Sequence, residues 1–255
     1  MKLTYSLFDP TGNRTILVQT PVPEAEQPRI AARLMESEPE TEQVGFYQED
    51  GGIRLRMAGG EFCGNAAMSA AVLAAEQAGT DQLETVISVS GTDEPVPASV
   101  ERQPEGHWLG TVEMPQPKAV TEVLLPGAGT VPVVRFDGIS HVVLQQPLPR
   151  PLAERSAPEW CVLLGADALG IMFFDPRTGR LTPLVYVPAA QTLCWENSCA
   201  SGTTAVGYLL ARAQGAPLTA RLQQPAGVLT IAADPAGCLK LTGTVRSLGT
   251  KTIEI

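Results

Sequence analysis

Several residue types are scarce in this chain of 255 residues, and each scarcity excludes something. Lysines and arginines total 18 against 27 acidic residues, for a net charge of −9, and no basic cluster occurs. Nucleic acid and anionic membrane are therefore excluded as partners, because a phosphate-rich surface would be repelled. No run approaches the ~18 apolar residues that span a bilayer. The N-terminal segment reaches Asp9 before a signal-peptide core could form, so a cytoplasmic protein is expected. Only two histidines are present, His107 and His141, and no Cys-x-x-Cys pair, which argues against structural zinc or any other metal site. Of the four lysines (Lys2, Lys118, Lys240 and Lys251), none lies in a motif, which disfavours Schiff-base chemistry. Walker and Gly-x-Ser-x-Gly sequences are missing, and Gly127-Ala128-Gly129 is too short for a dinucleotide fingerprint. The five cysteines are odd in number and lack disulfide-framework spacing, so free thiols are expected.

What is abundant is apolar material, 44% of the chain, broken by 22 prolines and 24 glycines into short segments. Strand-like stretches are Ile16–Gln19, Thr85–Val89, Val131–Phe136, His141–Leu144, Pro183–Val187 and Thr250–Ile255. Helical patterns cover Glu24–Glu36, Ala66–Ala78, Ala153–Leu163 (with Pro158 inside) and Thr203–Gln214. Strands outnumber helices without a strict βαβ rhythm, which predicts the α+β class. The stretches beginning at Ala66 and at Ala205 are apolar on nearly every face, so each should be a helix buried all round with a sheet wrapped about it.

Two cysteines stand in matching settings. Cys63 lies in Gly60-Glu61-Phe62-Cys63-Gly64-Asn65, and Cys199 in Trp195-Glu196-Asn197-Ser198-Cys199-Ala200-Ser201-Gly202. Each precedes one of the Ala-rich helical stretches. Phe8-Asp9 and Phe136-Asp137 lie at similar distances ahead of them, as in a distant internal repeat. Two domains are expected, 1–124 (completed by 250–255) and 125–255, with Leu125–Thr130 as linker. Cys161, Cys194 and Cys238 lack the motif and are expected to be small core residues.

A thiol at a helix N-terminus has its thiolate favoured by the helix dipole and by unused backbone N–H groups. Two such thiols facing one ligand form a site for two-base proton transfer at an amino-acid α-carbon. The amides of Gly64 and Asn65, and of Ala200, Ser201 and Gly202, would then cradle the carboxylate on which charge develops. No pyridoxal group, and no other cofactor, is needed. His141 occupies a place in the second half like that of Asn13 in the first, which makes it a candidate to line the substrate site.

The two motifs, with Thr11-Gly12-Asn13, Asp50-Gly51 and Val185-Tyr186, resemble the diaminopimelate epimerase superfamily of cofactor-independent racemases and epimerases. The resemblance implies a diaminopimelate-epimerase-like fold of two pseudo-symmetric domains, each a sheet around a central helix. It also implies Cys63 and Cys199 as catalytic pair, with Asn13 and Asn65 on the substrate. Gln48 stands where the family has a substrate-binding Asn, and Met172 where it has another. Val187-Pro188 replaces the Glu-Arg pair that holds the far end of diaminopimelate. The motif wording is most similar to the histidine racemases of staphylopine-type metallophore biosynthesis, and there Glu61 or Glu196 would bond an imidazole. The expectation is a racemase converting L-histidine to D-histidine, with a homodimer as candidate assembly. The alternatives are a diaminopimelate- or proline-type epimerase, or a small-molecule binding protein of the same fold.

Overall fold

The computed structural model describes residues 1–255, the side chain of Ala190 excepted. It is a sheet-rich α+β structure that divides into two compact units, Met1–Glu113 with Thr242–Ile255, and Met114–Leu241. Among the described residues, none of the helices is long and apolar enough to cross a membrane.

Unit 1 runs β1 (Lys2–Pro10), β2 (Thr15–Val18), α1 (Gln27–Ser37), β3 (Gln43–Glu49), β4 (Ile53–Met57), α2 (Gly64–Ala78), β5 (Gln82–Val89), β6 (Val96–Arg102) and β7 (Trp108–Met114). The final strand of the chain, β16 (Leu239–Glu254), pairs with β7 and returns to β1, so the sheet closes into a barrel. Closure leaves no unpaired strand edge. The β2–β3 and β4–β5 pairs are parallel, with α1 and α2 as their crossovers. Every residue of α2 from Gly64 to Ala75 is buried, and the helix packs against β1 through β6. Its small side chains permit this. A Cβ at Gly110 of β7 would already sit 3.1 Å from Met68 of α2. Helix α1 covers the other face of the sheet, where Ile30, Ala31 and Leu34 pack on Ile16, Val18, Val44 and Phe46.

Unit 2 opens with β8 (Ala119–Leu125) and β9 (Gly129–Arg135). It continues through β10 (Ser140–Leu144), α3 (Arg150–Leu164), β11 (Leu169–Asp175), β12 (Arg180–Val187), β13 (Thr192–Trp195), α4 (Ala200–Gln214), β14 (Leu218–Gln224) and β15 (Gly227–Ala233), and ends in the first residues of β16. The order of connections from β1 to β6 recurs here. Strands β10 and β11 are parallel across α3, and β12 and β14 are parallel across α4. Strand alternation then assigns faces. Val142, Leu144, Leu169 and Ile171 pack with Trp160 of α3, whereas Val143, Met172 and Phe174 pack with Val206 of α4.

Four expectations need correction. Leu125–Thr130 is no linker but the tight turn of the β8–β9 hairpin, with Gly127 and Gly129 at positive φ of 78° and 77°. Glycines that loosen a connection also make the sharpest turns. Consequently β8 pairs within unit 2, although all but its last residue lies inside the span 1–124. Helices α2 and α4 begin at Gly64 and Ala200, earlier than Ala66 and Thr203. Helix α4 is buried all round only in its first half, since Tyr208, Leu209 and Leu210 are half-buried. Cys161 is core, but Cys194 and Cys238 are half-buried.

Candidate active site

Both motif cysteines are N-caps. Cys63 has φ −133° and ψ 107°, and Cys199 has φ −126° and ψ 113°, after which each chain turns at once into helix. An extended residue before the first helical one is what a cap requires. Gly64 and Ala200 therefore open the first helical turns, whose N–H groups helical bonding does not consume.

In unit 1 the Cys63 sulfur accepts the Ala66 N–H at 3.4 Å. Its own proton is directed at Gln43 Oε1, 2.6 Å away. Gln43 is the first residue of β3, paired with Thr15 of β2. Asn13 lies just ahead of β2, fully buried, and its amide donates to Glu42 Oε2 at 2.6 Å. Asn65, in the first turn of α2, is buried as well. The Glu61 carboxyl is raised above the ordinary carboxylate range by burial, partly offset by backbone N–H groups and by Arg56. The Glu61 backbone carbonyl accepts Ser90 Oγ at 2.9 Å, and Ser90 Oγ in turn accepts the Met57 N–H at 2.9 Å. These bonds tie the approach to Cys63 onto the end of β5.

Gln48 does not join this group. Along β3, Gly45 faces Leu17 and Leu55, while Val44 and Phe46 pack toward α1. Gln43 shares the parity of Gly45, and Gln48 that of Phe46, so Gln48 lies on the opposite face from the residue that bonds Cys63. There it accepts from Arg54 Nη2 at 3.4 Å.

In unit 2 the Cys199 backbone is clamped by Gln224. Its Oε1 accepts the Cys199 N–H at 2.8 Å, and its amide donates at 2.8 Å to Thr203 Oγ1, which donates to Cys199 O at 2.6 Å. The sulfur, 5% exposed as a residue, lies 3.7 Å from Ser201 Oγ. Burial raises this thiol well above its usual value. The Glu196 carboxylate adds to that by its charge and by accepting the thiol proton, while the Gly202 N–H and Ser201 work the other way. The helix N-terminus thus fails to make Cys199 a resting thiolate, since desolvation and a neighbouring negative charge outweigh the dipole. Gly202 leaves room for both sulfurs of this corner. A Cβ there would overlap Met172 Sδ and stand 3.3 Å from Cys199 Sγ.

His141 is fully buried on the α4-facing side of β10, and its Nε2 is 2.9 Å from Ser201 Oγ. Gly170, its neighbour in the parallel ladder, makes the space, because a Cβ there would overlap the imidazole. Burial pushes the His141 pKa from 6.5 down to about 3, so the ring is neutral. The sign of the consequence is fixed. Between pH 6.5 and 3 the unfolded chain binds a proton that the native one does not, so stability falls as pH is lowered through that window. Going from pH 7 to pH 5 should cost about 2 kcal/mol from this group alone. Glu61, with its raised carboxyl, contributes in the opposite sense. Urea unfolding at both pH values should therefore show a smaller loss in His141→Gln than in the parent, and equal losses would refute the buried-histidine term.

Trp195 is an anchor, stacked on Phe173 at 5.6 Å and donating to Glu154 Oε1 at 2.8 Å. Gln43, Glu42, Thr203 and Gln224 escaped the sequence reading. Glutamine and threonine in strand ends and helix starts carry no local signature of such roles.

Residues 2–246 match the family described as the histidine racemase CntK N-terminal domain. This chain belongs to the histidine racemase family. A histidine racemase from Fusobacterium nucleatum subsp. nucleatum (strain ATCC 23726) is 33% identical over 236 residues, covering 89% of this chain and 88% of that protein. The Staphylococcus aureus (strain Mu50) histidine racemase is 31% identical over 219 residues, covering 80% and 78%. The fold is shared with a predicted epimerase from Pseudomonas aeruginosa, at a TM-score of 0.73, 14% identity and 100% coverage of both chains. It is shared also with a probable proline racemase from Agrobacterium radiobacter K84, at 0.73, 10% identity and coverage of 99% and 93%. The enzyme is an isomerase of the racemase and epimerase kind.

Proposed function

We propose that this enzyme interconverts L- and D-histidine without pyridoxal phosphate, using Cys63 and Cys199 as paired acid and base. The observation that carries this reading is the matched placement of the two thiols, each capping a buried helix, in a chain that aligns over most of its length with histidine racemases. One thiolate takes the Cα proton and becomes a thiol. The other thiol gives its proton to the opposite face and becomes a thiolate. The electron pair left at Cα is delocalised into the substrate carboxylate, and first-turn N–H groups such as those of Gly64 and Ala200 favour negative charge. Roles exchange for the reverse direction, so atoms and charge balance over each cycle.

Asn13, Glu61, Asn65 and Glu196 are the side chains we assign to substrate recognition. The diaminopimelate-epimerase-like description belongs to the same reading. It is supported by α2 packed against six strands of its barrel and by the recurrence of connections in unit 2. We further assign D-histidine to metallophore assembly, and expect a cytoplasmic homodimer.

Proton NMR in D2O tests the activity directly. Histidine should lose its Cα–H signal and chiral separation should reveal the other enantiomer, while proline and diaminopimelate remain unexchanged. Exchange of proline or diaminopimelate in place of histidine would overturn the substrate assignment, and exchange of no substrate would overturn the catalytic one.

A further inference from the structure

His141 is a second histidine in a chain that has only two, and racemisation by paired thiols gives it no task. It sits behind the reacting group rather than beside it. Nε2 meets Ser201 Oγ at 2.9 Å, and Ser201 Oγ meets Cys199 Sγ at 3.7 Å. Nδ1 is buried without a hydrogen-bond partner. The ring is held by Phe136, edge-on with centroids 5.9 Å apart, and by the missing side chain of Gly170.

These contacts select one tautomer. A proton on Nδ1 would be a buried donor with no acceptor, which is the rarer and costlier kind of orphan; a bare lone pair there is better tolerated. With the proton on Nε2, the imidazole donates to Ser201 Oγ. The Ser201 hydroxyl hydrogen is then released from the ring and can turn toward the sulfur. The opposite tautomer would make Nε2 an acceptor and draw that hydrogen away from Cys199. Around the sulfur the remaining partners agree with this direction, since Glu196 accepts the thiol proton and the Gly202 N–H points at the sulfur.

We propose that His141 is a positioning residue for Cys199: as its Nε2–H tautomer it holds the Ser201 hydroxyl so that its proton is donated to Sγ, stabilising the thiolate whenever Cys199 serves as the base. For His141 this role takes the place of the expected substrate contact, and the Ser201 backbone N–H keeps the role expected for it. The inference rests on the assignment of Cys199 as a reacting thiol, but its test reads no turnover.

The test has two arms, both on the full-length reduced protein. Long-range proton–nitrogen correlation of protein labelled with [15N]histidine should show His141 as the neutral Nε2–H form throughout pH 5–8, with the His107 signals assigned separately. An Nδ1–H pattern would overturn the proposal. In the second arm, iodoacetamide alkylation of Cys199 is followed by peptide mass spectrometry at pH 8. Among the charged groups, Glu196 is the one acting on this thiol and His141 is neutral, so a change of rate in the variants reports the lost donor. Ser201→Ala and His141→Leu should each slow alkylation three- to tenfold, as expected for about a tenfold smaller thiolate fraction partly offset by higher intrinsic nucleophilicity. The double variant should be no slower than either single one. His141→Gln, whose amide reaches the Nε2 position and can donate, should stay near the parent rate. Packing damage alone would expose the buried sulfur and speed the reaction. Unchanged, faster or additive rates would overturn the proposal, and Ser201→Ala alone suffices if a His141 variant does not fold. Loss of racemase activity in the parent with both signatures intact would instead count against the proposed function.

Discussion

Replacing either Cys63 or Cys199 with alanine is expected to lower histidine racemisation in both directions by about a thousandfold, within the 10²–10⁴ that a positioned acid or base contributes. In the proposed mechanism each thiol serves one face of Cα, so neither can stand in for the other. Serine at either place should rescue little, because an alcohol is a far weaker acid than a thiol with its ordinary value of roughly 8.5. Isotope incorporation sharpens the result. In D2O the product enantiomer should carry deuterium from its first appearance, while unreacted substrate keeps its α-hydrogen, because the proton returned comes from the second thiol. A single base working on both faces would carry the substrate's own hydrogen into the product. Full turnover in either alanine variant, or a product rich in the original hydrogen, would end the two-thiol reading. Loss of the helix caps is a small effect beside this. Cys63 accepts one long bond from Ala66, worth about 1 kcal/mol at most, and both helices are anchored by their buried faces.

The largest loss of stability from a single methyl group is expected at Gly91. Its φ is +77°, and a Cβ there would overlap Phe62 N and lie 2.7 Å from Glu61 C and 2.9 Å from Phe62 Cα. These are backbone atoms, so no rotamer change can relieve the overlap. The left-handed conformation costs roughly 1–2 kcal/mol for a residue with Cβ, and forced packing about 1–3 more. Gly91→Ala should thus destabilise by about 3 kcal/mol or more in urea unfolding. The strain falls on the segment that leads into Cys63, so the variant should also alkylate faster at that thiol. Gly79→Ala is the matched control. It shares a positive φ of 67° but meets nothing within 4 Å, so only the conformational cost of roughly 1–2 kcal/mol should appear. Equal losses in the two variants would mean that the Glu61–Phe62 backbone yields freely.

The two motif cysteines were legible as helix starts because their signal is local. A cysteine followed by small residues and an Ala-rich run marks a helix start at its own position, and α2 and α4 bear this out. The exact first residues were misjudged for a related reason: Gly64, Asn65, Ser201 and Gly202 are poor helix formers, which read as loop until the cap geometry is seen. Hydrophobic alternation revealed strands such as β10 and β11, yet which face meets α3 and which meets α4 came only with the packing. Gln48 shows what parity adds, because a landmark aligned by a neighbouring turn lies on the face of β3 opposite Gln43.

Residue type, spacing and alternation along short stretches were enough to establish an α+β chain and two thiols in matching positions at helix starts. These features depend on neighbours a few positions apart. The partners of the thiols depend on contacts between residues 20, 25 and 60 positions apart, in Cys63 with Gln43, Cys199 with Gln224, and His141 with Ser201. No local pattern encodes such pairings. The protonation of Cys199 and His141 followed from them as well, because burial and the field of Glu196 exist only once the chain has folded around these groups.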